Sequence, residues 1–195
     1  MKKTNLIYLI AAIALLISCN GLKPKDYTEM PSGTDFKEVA DVLVKRLGGN
    51  PVFYEINGTF RITAGSKQAF FEAIIVSGEE TKKLYEYTYN MIDAMWVDPT
   101  EITLHDNSKN NVEYDEYKDC LFTVNEFPDF TKLDDLYKEA LFNSEFEKDE
   151  CYVSAFKMEK PDGNQELSVV VQSREKSTRK NTFWFDNEGN IIDSE

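Results

Sequence analysis

Two short runs of aromatic and β-branched residues, Val52-Phe53-Tyr54-Glu55-Ile56 and Thr59-Phe60-Arg61-Ile62-Thr63, stand on either side of Asn57-Gly58. No other local feature restricts the fold as strongly. Alternating residues of this kind suit a pleated, half-buried strand, and Asn-Gly is the pair favoured where both central residues of a two-residue turn need positive φ. The pattern predicts a β-hairpin with Asn57-Gly58 at its tip. A third apolar run, Phe70 to Val76, is expected to extend the same sheet, with a short helix as the alternative that the pattern leaves open.

Before this hairpin, Phe36, Val39, Val42, Leu43 and Leu47 recur at helical spacing behind Thr34-Asp35, and Gly48-Gly49 supplies a stop. After it, Ser77-Gly78-Glu79-Glu80 has the form of a capping box. A second helix is therefore expected, with Tyr85, Tyr89, Ile92 and Trp96 on one stripe and Asp98-Pro99 as its end. Such a stripe suits core packing better than a ligand groove. Ile102 and Leu104 alternate as in a half-exposed strand, 106–117 is a polar loop, and Leu121-Phe122-Thr123-Val124 reads as a strand. Asp129-Phe130 opens a further helix with Leu133, Leu136, Tyr137 and Leu141 on one face. The last third is a meander: Tyr152 to Glu159, Leu167 to Gln172, Thr182 to Phe185 and Ile191-Ile192, separated by turn-forming stretches.

The expected class is thus α+β, an antiparallel sheet packed with about three helices. The two main helices echo each other: Asp35-Phe36 corresponds to Asp129-Phe130, and Val39, Asp41, Val42 and Leu47 to Leu133, Asp135, Leu136 and Leu141. A duplication into lobes 34–127 and 128–195 accounts for the echo. Shared amphipathic spacing also accounts for much of it.

The first nineteen residues carry an address. Lys2 and Lys3 precede an apolar run from Leu6 to Ile17, followed by Ser18 and Cys19, which describes a secretory signal. Leu16-Ile17-Ser18-Cys19 resembles the lipobox of bacterial lipoproteins. That resemblance implies cleavage before Cys19 and lipid attachment to it, on a bacterial and by expectation outer membrane. The apolar run is shorter than the about twenty residues needed to span hydrocarbon. The expected organisation is a signal peptide over 1–18, a lipidated start and flexible tether over 19–33, and an extracytoplasmic domain over 34–195. For that mature domain no specific family suggests itself. The architecture resembles, loosely, small secreted inhibitor and PepSY-type modules.

Removing residues 1–18 takes two lysines and no acids, so the charge of −13 becomes about −15, with 20 basic and 35 acidic residues left. So acidic a surface repels nucleic acid and anionic lipid headgroups, which leaves the acyl chains as the membrane contact. Cys120 and Cys151 remain in the mature chain, where an oxidising compartment permits a disulfide and buried free thiols are the alternative. The single histidine, His105, has no Gly-x-Ser-x-Gly partner. The acidic loop from Asp106 has Asn111 where an EF-hand needs glycine and Tyr117 where it needs the closing glutamate. No catalytic residue, metal ligand or cofactor is therefore assigned. A lipid-anchored envelope module binding a protein or glycan is the expectation, with a carboxylate-dependent hydrolase of envelope polymers as the rival.

Overall fold

The structure, a computed structural model, describes residues 22–63, 65–77, 82–105, 108 and 110–195. Cys19 and the lipobox lie outside the described residues. Helix α1 (Gly33–Leu47) starts at Ser32, whose hydroxyl accepts the Asp35 amide while the Asp35 carboxylate accepts the Ser32 amide. It stops at Gly48, which takes the left-handed conformation (φ 73°) that glycine adopts without a Cβ penalty. Strands β1 (Phe53–Thr63), β2 (Ser66–Ser77), β3 (Lys83–Asn90), β4 (Met95–Trp96) and β5 (Thr100–Ile102) follow. Next come a single helical turn, α2 (Tyr114–Tyr117), and helix α3 (Leu133–Asn143). Strands β6 (Cys151–Glu159), β7 (Glu166–Ser173), β8 (Lys180–Phe185) and β9 (Ile191–Ser194) complete the chain.

All pairings are antiparallel, and the sheet runs in the order β4-β3-β2-β1-β6-β7-β8-β9, with β5 beside β3. The α+β class is as expected. The first strands behind the two main helices, β1 and β6, meet at the centre, so one sheet and one hydrophobic core run through both halves of the chain. Helices α1 and α3 bury Phe36, Val39, Ala40, Leu43 and Leu133, Leu136, Tyr137, Ala140 in that core.

The Asn57-Gly58 hairpin is not formed. Both residues lie inside β1, and the β1–β2 hairpin closes beyond the Thr63–Ser66 pair. Gly58 is paired with Phe71 on one side and Phe156 on the other. A Cβ there would stand 2.2 Å from Phe156 Cε1 and 2.8 Å from Phe36 Cε1. The glycine serves close packing, not a positive φ. Over the gap that it leaves, the rings of Phe36 and Phe130 both meet Phe71 and Phe156, at centroid distances of 4.8 to 6.5 Å. The two phenylalanines of the sequence echo therefore share one aromatic cluster.

The second predicted helix is a strand. Tyr85 and Tyr89 are four apart, a spacing that fits both a helical face and one side of a strand. Aromatic and threonine content, together with pairing of β3 to β2 from Phe70–Asn90 to Ser77–Lys83, decides for the strand. The capping box at Ser77 falls largely on residues outside the described set. The strand expected at Leu121–Val124 reduces to one bridge, Phe53 with Phe122, followed by a 3-10 turn.

The stretch expected as a free tether is, from Leu22 on, laid against the domain. Met30 is buried, Leu22 and Tyr27 pack on the core, and Lys25 pairs with Asp35 while Asp26 pairs with Lys67. Burial, then the nearby Asp35 carboxylate, raises the Tyr27 phenol well above its usual range. Burial also works against the Asp35 carboxylate, but Lys25 and Ser32 together hold its pKa below the ordinary value.

Candidate functional site

A groove of about 680 Å³ opens where α1 ends and the outer ends of β2 and β3 begin. That volume is in the range of small-molecule sites, about 300–1,000 Å³. Leu47, Pro51, Val52, Ile75, Val76 and Leu121 supply its aliphatic wall. Tyr85, Tyr87 and Tyr114 supply aromatic surface, and Lys82 stands at the edge.

Each of these is brought in by a different element. The left-handed Gly48 turns the chain out of α1, so that Gly49-Asn50-Pro51-Val52 crosses one side of the groove. Tyr85 and Tyr87 share a face of β3 because their spacing is two. The turn of α2 brings Tyr114 and Tyr117 to the same end of the sheet. Tyr117 Oη donates to the Lys82 carbonyl at 2.7 Å, and Lys82 itself sits at φ 48°. Its ammonium lies 4.2 Å from the centre of the Tyr114 ring, a cation–π contact. The Tyr114 and Tyr117 rings meet edge to face at 5.4 Å, and Tyr117 meets Tyr54 at 6.0 Å. Burial raises the phenol pKa of both Tyr54 and Tyr117, so both are neutral donors at neutral pH. At the outer side, Tyr85 Oη donates to Glu101 Oε2 at 3.3 Å, and Lys83 Nζ holds both oxygens of that carboxylate, at 2.8 and 3.0 Å.

The opposite face of the sheet is polar. One row of directly opposed residues crosses seven strands: Thr88, Glu72, Asn57, Lys157, Ser168, Trp184 and Asp193. Asn57 Nδ2 donates to Glu72 at 3.1 Å, and Lys157 pairs with Glu55 and Glu159 at 3.1 and 2.7 Å. Burial, reinforced by the charge of Glu86, raises the Glu72 pKa. Burial lowers the Lys157 pKa but its two glutamates outweigh this, leaving it raised. Asn57 with Glu72, and Lys157 with its two glutamates, thus satisfy one another on this face.

The residues singled out in the sequence do not converge. Cys120 and Cys151 are free thiols. Cys151 opens β6, whereas the Lys118–Cys120 turn packs against the Pro161–Gly163 turn beyond the other end of that strand. A nine-residue strand rises about 30 Å, far beyond the about 7 Å that a disulfide can bridge. His105 is exposed and bridges Asn111 across the polar loop. Among the described residues, no cluster of three or more histidine, cysteine or acidic side chains is arranged for a metal. In the aromatic stripe, Tyr89 is buried against Trp96 at 4.9 Å and Met91 is buried, while Tyr85 reaches the groove. Sequence reading missed Lys82 and Tyr114 as site residues. They are 32 positions apart, and nothing local in either segment announces that the chain will bring them together.

No protein-family model and no curated protein matches the sequence. Among solved structures, the fold is similar to a crystal structure described as a "putative lipoprotein" from Clostridium difficile 630, with a TM-score of 0.51 and 9% sequence identity. The likeness covers 88% of this chain and 95% of that one. At this identity it is a likeness of fold. Among the described residues, no helix is long and apolar enough to cross a membrane.

Proposed function

We propose that this chain is a bacterial envelope lipoprotein, anchored through Cys19 to the outer membrane, and that it works as a binding module whose ligand site is the groove between α1, β2, β3 and α2. The groove carries the binding reading: a concave, mainly apolar surface with a few placed polar groups is the form of a ligand site. The lipobox-like Leu16-Ile17-Ser18-Cys19 and the lipoprotein neighbour support the anchor.

The packed segment from Leu22 adds a consequence. Only Asn20 and Gly21 lie between Cys19 and Leu22, three residue steps that reach about 11 Å at full extension. The module is held against its membrane rather than lifted off it. The hydrolase alternative needs two carboxylates facing each other in a cleft. Glu72, whose pKa burial raises, lies on the sheet face beside Asn57 and does not line the groove.

Cys19→Ala should abolish incorporation of labelled fatty acid and release the domain from membranes; continued labelling would overturn the anchor. For the groove, the neutral dye Nile red should bind the soluble domain, and Val52→Trp, which fills the groove from its half-open rim, should weaken that binding at least tenfold. Equal binding by both proteins, or none by either, would remove the groove as the site.

A further inference from the structure

The described lining of the groove has a charge character opposite to that of the chain. Acidic residues outnumber basic ones 35 to 22, yet among the described residues the groove is lined by one cation, Lys82, and by no carboxylate. Glu101, which accepts from Tyr85, is taken up by Lys83. The C-terminal end of α1 adds partial negative charge at the wall, against which Lys45 and Arg46 stand in its last turn.

Lys82 is also held in place. Tyr117 fixes its carbonyl, the left-handed backbone sets the direction of its side chain, and the Tyr114 ring carries its ammonium. A lysine on an open surface would pay rotamer entropy to meet a ligand, and this one has lost part of that freedom already. Three tyrosine rings would otherwise suit a ligand cation, but the protein's own ammonium occupies the Tyr114 face. Among the described residues, no carboxylate forms an ion pair with Lys82.

We propose that the groove selects an amphipathic anion: a carboxylate that Lys82 receives, on an apolar aromatic or acyl body that lies along Tyr85, Tyr87, Leu47 and Val52. This rests on the binding role of the groove argued above and adds the class of ligand. The exposed ammonium is screened by salt, so the carboxylate contributes selectivity while the apolar wall contributes most of the hold.

The test uses three probes with one body: naphthalene-2-acetate, its neutral amide, and 2-(2-naphthyl)ethylamine, each titrated calorimetrically into the soluble domain at low salt. The acetate should bind about tenfold more tightly than the amide, and the amine least, as expected for one charge-assisted hydrogen bond at a partly exposed site. Lys82→Gln should bring acetate and amide to equal affinity, Lys82→Arg should restore the preference, and raising the salt should shrink it. Equal binding of all three, preference for the amine, or an unchanged preference in Lys82→Gln would overturn the anion selectivity while leaving the groove as a binding site. Binding of none, together with no capture of Nile red, would overturn both. Thermal melts of each variant separate loss of fold from loss of affinity.

Discussion

Replacing Gly58 by alanine tests the centre of the fold. In most strands this change is favourable by about 0.5–1 kcal/mol, because glycine loses more backbone freedom on folding. Here the new methyl would stand 2.2 Å from Phe156 Cε1 and 2.8 Å from Phe36 Cε1, and both rings are fully buried. Ordinary carbon contacts lie near 3.5–4.0 Å, so one ring must move by more than about 1 Å in a packed cluster. Overpacking costs about 1–3 kcal/mol, and two displaced rings place this site at the upper end. The net loss should be about 2 kcal/mol, which for a domain of this size lowers Tm by about 4–8 °C. Urea denaturation with an unchanged m-value would measure it. Phe156→Leu in the same chain should recover part of the loss, as a favourable coupling in a double-mutant cycle. A neutral or stabilising Gly58→Ala would refute the packing argument. Asn57→Thr separates the two accounts of this pair. A residue required at positive φ would make threonine costly, whereas a residue within β1 should tolerate it, losing about 0.5–1 kcal/mol with the Glu72 hydrogen bond.

Two further outcomes follow from other parts of the structure. Met30→Ala should cost about 2 kcal/mol and expose 22–32 to proteolysis, since Met30 is 7% exposed in the common core; unchanged stability would mean that the segment is not docked in solution. Glu72→Gln probes pH dependence. Because the Glu72 pKa is raised in the folded state, the native protein binds more protons than the unfolded chain just above pH 4.5, so this group's contribution falls as pH rises through its folded pKa. The glutamine variant should therefore gain stability relative to wild type between pH 4 and pH 7, and a difference that does not vary with pH would refute the burial of that carboxylate.

Much of the fold was legible because its signals are local. Phe36 to Leu47 and Leu133 to Leu141 have one period only, and Gly48 ends the first helix as its sequence position suggests. The runs behind Cys151 became β6 to β9 because turn residues mark their limits. Two readings failed where local chemistry was ambiguous. A spacing of four from Tyr85 to Tyr89 fits a helix and a strand equally, and Asn-Gly marks a tight turn or a place where a side chain has no room.

Only tertiary structure resolved these cases, because what decides them arrives from elsewhere in the chain. Phe36 and Phe156 require the glycine at 58, and β2 makes a strand of Lys83–Asn90. The groove lies further beyond local reading. Its wall joins Leu47, Ile75, Tyr85, Tyr114 and Leu121, and the backbone carbonyl of its lysine is held by a phenol 35 residues away. By itself the sequence determined the two main helices, the strands behind Cys151, the acidic composition and the expected anchor at Cys19. Which residues share a surface depended on strand order and register, long-range pairings that no local periodicity encodes.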